Sequence, residues 1–319
     1  MPPSRRTAVD AWSNRDRFVV VDGALATELE RHGADISSAL WSATLLRDDP
    51  ALIARVHRDY LDAGADVLIT ASYQATVEGF ERAGIDPAEA EALIASSVTL
   101  AREVRDTFVT EQPDAFAKGR SRPLVAASIG PYGAALADGS EYRGDYGVDV
   151  ATLVAFHRDR LQLLADAGPD LLACETVPSV VEAEALATLV DAEQERTGTP
   201  AWITFTARDA HRLSDGTPVR EAAKLAADHA FVAIGINCTA LEHIAPLVEA
   251  IAATTVVPVV VYPNSGETWD AGSRGWTGSS ARGSWARWVR EWRDAGASLI
   301  GGCCRTTPAD VAEIASVRG

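Results

Sequence analysis

Cysteine is the scarce reactive residue of this chain: 319 residues include only four, and three of them end short apolar runs. Leu299-Ile300-Gly301-Gly302 runs into Cys303-Cys304, and Ala233-Ile234-Gly235-Ile236-Asn237 runs into Cys238. Adjacent cysteines close too small a ring for an unstrained disulfide. Free cysteines are often no more than small buried core residues. A Gly-Gly-Cys-Cys run at one strand end, matched by a second strand ending in cysteine, favours a soft divalent metal instead. Zinc takes thiolate sulfur, and a catalytic zinc site holds three protein ligands with one position open. Three thiolates would make such an ion a weak Lewis acid, poorly suited to activating water. A substrate thiol entering the fourth position would still lose its proton. The expected chemistry is attack by a substrate thiolate on an electrophilic carbon, since a free thiol with a pKa near ~8.5 is mostly protonated at neutral pH.

The elements that would position these thiols alternate. Apolar runs fall at 18–21, 67–70, 124–127, 171–174, 201–205, 231–236, 257–261 and 299–300. Helix-period segments fall between and after them, at 50–63, 87–108, 150–167, 179–195, 219–229, 241–253, 284–295 and 308–317. Asp49-Pro50, Asp86-Pro87, Thr217-Pro218 and Thr307-Pro308 read as capping residues before a first-turn proline. Leu61–Ile69, Leu164–Leu172 and Trp292–Ile300 repeat one pattern: a helix end, a glycine, a tight loop and an apolar strand. A doubly wound sheet would use that turn too, but eight such units in one chain favour a closed α/β architecture, a single-domain (β/α)8 TIM barrel.

Chemistry in such a barrel belongs at the C-terminal ends of the strands. Asp22-Gly23-Ala24, Thr70–Gln74, Ser128–Pro131, Cys174-Glu175-Thr176, Asn237-Cys238, Tyr262-Pro263-Asn264 and Gly302-Cys303-Cys304 all fall there. Two long loops share that rim: Gly130–Gly147 is rich in glycine, tyrosine and acidic residues, and Asn264–Gly283 in glycine, serine and tryptophan. Loops this long in a compact domain are usually functional or disordered, and their aromatic content favours function. Cys174 and Glu175 are neighbours on a strand, so at most one of them can face the site.

Composition bounds the rest. A chain that is 47% hydrophobic and 23% charged buries a large core. No apolar run approaches the ~20 residues that cross a bilayer. Residues 1–16 are polar and charged, without a secretory apolar segment, and are expected to form a flexible extension to a barrel domain at 17–319. Few, unevenly spaced cysteines favour a reducing cytoplasm over a disulfide framework. A formal charge of -16 disfavours nucleic acid and anionic membrane as partners and leaves small molecules. None of the six histidines has metal spacing, His243 included, and no glycine-rich phosphate fingerprint is present.

Together Asp22-Gly23-Ala24, Thr70-Ala71-Ser72-Tyr73-Gln74, Cys174-Glu175-Thr176, Asn237-Cys238, Tyr262–Gly266 and Gly301-Gly302-Cys303-Cys304 resemble the homocysteine S-methyltransferase family, from about Val20 to the C-terminus. The resemblance implies a zinc-dependent barrel that methylates homocysteine to methionine, with Cys238, Cys303 and Cys304 as the ligands of Zn2+. It also implies that Asp22 and Glu175 receive the substrate ammonium and that amides around Gly23 and Ala24 take its carboxylate. Ser72, Tyr73 and Asn237 would complete the substrate contacts. The loop 136–146 resembles the branch using S-methylmethionine, with S-adenosylmethionine as a poorer donor. A sulfonium donor is a cation, so Tyr73, Tyr142, Tyr146, Trp269 and Trp276 are candidates to hold it. A betaine- or other-donor thiol or selenol methyltransferase, and a noncatalytic barrel with a structural zinc, are the alternatives.

Overall fold

A computed structural model describes Trp12 and residues 17–36, 41–117, 120–270, 275–277 and 284–318. Eight strands carry the fold: β1 (Val19–Val20), β2 (Val67–Ile69), β3 (Leu124–Ile129), β4 (Leu171–Val177), β5 (Ala201–Phe205), β6 (Phe231–Asn237), β7 (Val259–Tyr262) and, after a hairpin of β8 (Thr268–Asp270) and β9 (Gly275–Thr277), β10 (Ala297–Ile300). Their order is β1-β10-β7-β6-β5-β4-β3-β2, all pairings are parallel, and a parallel bridge from Val21 to Val67 joins the two ends. The barrel is closed.

Helices return the chain between strands, and their ends follow the sequence. Asp49 and Asp86 accept from the amides of Leu52 and Ala88 at the starts of Pro50–Ala63 and Pro87–Glu111, each with proline in the first turn. Thr307 and Asp310 form a capping box on Pro308–Ser316. Thr217 does not cap Val219–Ala227; its amide and hydroxyl bind Asp215, and the helix starts without a side-chain cap. The repeated turn does take the expected form: Gly64, Gly168 and Gly296 all have positive φ, at 106°, 76° and 120°.

Two apolar layers result. Alternate strand residues face the barrel interior, where Val21, Val67, Ala126, Leu171, Ala173, Trp202, Val260, Tyr262 and Leu299 pack together. Their neighbours Val20, Leu68, Val125, Leu172, Ile203 and Val261 face the helices. Trp12, within the stretch expected to be a flexible extension, is buried in the interior cluster with its ring 6.2 Å from that of Trp202. Residues 1–11 and 13–16 of that stretch lie outside the described residues.

Candidate metal centre and substrate site

The parity of β4 sets the site. Leu171 and Ala173 face the interior, so Glu175 continues the inward row while Cys174 packs with the helix-facing cluster. Burial pushes the Cys174 thiol up to about 12, as befits a neutral core residue. The strand then breaks register: its pairing with β5 shifts between Cys174 and Val177, and Thr176 adopts φ 60°. A β-branched residue there is an outlier that its surroundings must hold in place. Asn237 holds it. The Asn237 Oδ1 accepts from the Thr176 amide at 2.8 Å, and its Nδ2 donates to Thr176 Oγ1 at 2.8 Å.

Glu175 is buried among polar partners from three strands. Ser128 on β3 donates to its Oε1, and Tyr262 on β7 also hydrogen-bonds it. The Tyr262 hydroxyl lies 2.8 Å from Thr204 Oγ1 on β5. Burial nevertheless pushes Glu175 up to about 7, since desolvation of the carboxylate outweighs the two hydrogen bonds. Asp22, just past β1, accepts from the Ile69 amide at 2.8 Å through Oδ2, while its buried Oδ1 has no partner. Burial raises Asp22 well above the ordinary carboxylate range, and the charge of Glu175 raises it further. The two carboxylates lack a cation: neither has an ion-pair partner among the described residues.

The thiols converge beside them. Cys238 Sγ lies 3.4 Å from Cys304 Sγ, Cys303 Sγ lies 4.0 Å from Cys304 Sγ, and all three sulfurs fall within 4.8 Å of one another. Backbone fixes this arrangement. Cys238 takes φ 49° at the end of β6 with its amide on the Tyr262 carbonyl. Cys303 donates its amide to Pro263 O, and Cys304 O accepts from Ser265 N, so the turn after β7 clamps the pair. Hydrogen bonds from Cys238 and Cys303 hold the Cys304 thiol low, whereas hydrogen bonds to Cys238 and Cys304, with burial, push Cys303 up.

The remaining expected contacts divide. A Cβ on Gly23 would stand 2.8 Å from the Tyr60 ring and 2.9 Å from Thr306 Oγ1, so glycine is required for this close turn. The Ala24 amide is already bound to Thr306 Oγ1 at 3.1 Å. Ser72 is fully buried, donating to Ser128 O and touching Thr70 Oγ1. The polar atoms of Ser72 and Asn237 are thus spent on the scaffold, whereas Tyr73 hydrogen-bonds Thr176 and stands in the electrostatic field of Cys238. Tyr142 places its hydroxyl 3.5 Å from Cys238 Sγ. Tyr146 packs on Tyr132 with its hydroxyl buried, under the influence of Glu182. The side chains of Trp269 and Trp276 lie outside the described residues. Ser128 and Tyr262 were marked in the sequence as strand-end residues but not as partners of Glu175, which parity inward along β3 and β7 would have shown, and Thr306 was not singled out.

A profile of the homocysteine S-methyltransferase family matches residues 19–318. The chain belongs to that family. It is 48% identical over 300 residues to homocysteine S-methyltransferase YbgG of Bacillus subtilis, covering 94% of each chain. It is 49% identical over 313 residues to the homocysteine S-methyltransferase of Escherichia coli, covering 98% of each. The metallated form of the homocysteine methyltransferase MmuM from Escherichia coli superposes with a TM-score of 0.83 at 48% identity, over 94% of this chain and 96% of that one. Within the family fold, the Cys238, Cys303 and Cys304 sulfurs form a set able to bind a metal.

A second cluster is of another kind. His32, one of the histidines without metal spacing in the sequence, joins Glu28 and Asp59 with ligand atoms within 4.8 Å. Its Nε2 lies 2.9 Å from Asp59 and 3.6 Å from Glu28, while Arg31 pairs with Glu28 at 3.5 Å. These carboxylates already have partners, Arg31 for Glu28 and the His32 ring for Asp59. His243 joins neither cluster among the described residues.

Proposed function

We propose that this chain methylates the sulfur of homocysteine, with zinc held by Cys238, Cys303 and Cys304. The observation that carries the proposal is the meeting of three thiols with a buried, cation-free pair of carboxylates, Asp22 and Glu175, at the barrel mouth. Zinc fits the sulfurs. Thiolates at ~2.3 Å from a tetrahedral ion lie roughly 3.8 Å apart, between the 3.4 and 4.0 Å found here. Held by these three sulfurs, zinc would supply a position for the homocysteine sulfur and would favour loss of its proton.

The chain's own residues do the rest. Asp22 and Glu175 receive the ammonium, which offsets the desolvation that raises both. Ser128 and Tyr262 aim Glu175, and Asn237, rather than touching substrate, positions it through Thr176. The substrate carboxylate is assigned to the Gly23–Ala24 turn, where its approach would take over the Ala24 amide from Thr306. Methyl transfer forms a bond from homocysteine sulfur to the methyl carbon as the donor's S–CH3 bond breaks, its electron pair staying on the donor sulfur. With S-methylmethionine both products are methionine, and the thiol proton is released.

Small-molecule substrates suit an acidic chain with no helix, among the described residues, long and apolar enough to cross a membrane. Four free cysteines suit a reducing cytoplasm. The test is methyl transfer to homocysteine from S-methylmethionine, S-adenosylmethionine and betaine, before and after chelation. Methionine formed from the sulfonium donors and lost on chelation is expected. Activity that survives complete metal removal would overturn the proposal.

A further inference from the structure

One buried carboxylate near the thiols has no part in holding the amino acid. Glu141 is 6% exposed, its Oε2 has no hydrogen-bond partner, and it stands outside the sulfur set. The Gly130–Gly147 loop puts it there. A Cβ on Gly133 would stand 2.4 Å from the Glu141 amide, so the helical turn Tyr132–Leu136 and the 3-10 turn Ser140–Tyr142 stack backbone on backbone. A Cβ on Gly130 would stand 2.4 Å from the Tyr73 carbonyl and 2.8 Å from its ring, so the start of the loop lies on Tyr73. Glycine at both positions allows Glu141 and the tyrosines to close on one another.

The loop is also anchored from below. Arg160 donates to Gly130 O, Tyr132 donates its amide to Glu182 Oε1 at 2.6 Å, and His157 lies 2.8 Å from the same oxygen. Tyr142, the residue after Glu141, reaches Cys238 with its hydroxyl while 40% of the residue stays exposed. The groups facing Glu141 are mostly anionic or neutral: Cys238, Asp138, Tyr73 and Tyr146. Among the described residues the cation in range is Arg143, an exposed side chain that pairs with Asp145 at 3.2 Å. A buried carboxylate left in such surroundings is costly unless a cation joins it.

We propose that Glu141, with the rings of Tyr73 and Tyr142, forms the seat for the sulfonium centre of the methyl donor. A sulfonium carries positive charge and no donor hydrogen, so it is recognised by a carboxylate and by aromatic faces rather than by hydrogen bonds. From this loop the cation faces the sulfurs across Tyr142, and Tyr73, in the field of both Glu141 and Glu175, stands where the donor and acceptor sides meet. The assignment rests on the methyltransferase proposed above and names the donor side of its site.

Trimethylsulfonium, which has no amino or carboxyl group, is the direct probe. Calorimetry on the zinc-loaded protein should show it binding to wild type and weakened on the order of 10- to 100-fold in E141Q, with E141D between them. Equal binding to wild type and E141Q, or none to wild type, would overturn the seat. Kinetics supply a second arm: E141Q should raise KM for S-methylmethionine by a similar factor with homocysteine KM and zinc content unchanged. An equal rise in homocysteine KM would move Glu141 to the acceptor side and also overturn it. Failure of wild type to transfer methyl at all defeats the parent proposal alone, because trimethylsulfonium binding still reads Glu141.

Discussion

The two walls of the site are built differently. The acceptor wall, Asp22 and Glu175, stands on strand ends, and its carboxylates are aimed by Ile69, Ser128 and Tyr262 from three other strands. The donor wall, Glu141 and Tyr142, hangs on a loop whose shape depends on two glycines and a buried Arg160–His157–Glu182 network. Strands fix a side chain by period and pairing, so the proposed acceptor wall should be rigid and suit any substrate with the homocysteine ammonium. A loop can change sequence without disturbing the barrel, so donor choice is placed where the fold tolerates variation. Cys238 neighbours both walls, within the electrostatic reach of Glu175 and 3.5 Å from the Tyr142 hydroxyl.

The comparison breaks most severely at what the walls share. Cys303→Ala should abolish metal binding and lower methyl transfer by on the order of 1,000-fold or more with every donor. Metal analysis showing one zinc per chain in that variant would remove Cys303 from the ligand set.

Glu175→Gln should act on one wall only, raising homocysteine KM on the order of 10- to 100-fold while zinc content and donor KM hold. Its pH dependence has a definite sign. The carboxylate in the substrate-free protein is raised to about 7, so it is neutral below that pH and cannot receive the ammonium. Homocysteine KM should therefore climb as pH falls through 7, with a bend that Glu175→Gln lacks. The same bend in both proteins would assign it to another group.

Asn237→Ala separates positioning from contact. Losing both bonds to Thr176 frees the left-handed residue after Glu175 and should raise homocysteine KM about 10-fold, with about 1–3 kcal/mol lost from folding stability. A change in KM with no loss of thermal stability would instead indicate direct contact with substrate. The smallest effect is expected of Ser128→Ala. It removes a hydrogen bond that lowers the Glu175 pKa, so the bend should move to higher pH with a KM change of only a few-fold. A bend moving downward would contradict the role given to Ser128.

The same division governs what was legible in the sequence. Barrel strands and helices announce themselves by apolar period and capping residues, and Pro50–Ala63 begins and ends where Asp49 and Gly64 dictate. The cysteines and Asp22 were visible because they follow directly on apolar runs, and strand alternation allowed only one of Cys174 and Glu175 into the site. The family resemblance pointed to Glu175, and in the structure the inward parity of Leu171 and Ala173 puts Glu175 rather than Cys174 on the inner face. Asn237 and Ser72 were legible as members of the site but not as scaffold, since their partners Thr176 and Ser128 come from other strands. The Thr268–Asp270 and Gly275–Thr277 hairpin was hidden among glycines and serines with no strand period to mark it. Glu141 was hidden for a related reason: loops have no period, and only the stacking of Gly133 on its amide shows where it sits.

The central claim is that three protein sulfurs hold the metal and leave a place for a fourth that belongs to the substrate. X-ray absorption at the zinc edge, on protein with and without homocysteine, measures this directly. Three sulfur neighbours in the free protein and four after homocysteine is added are expected, at a common distance of about 2.3 Å. A sulfur count unchanged by saturating homocysteine would contradict it.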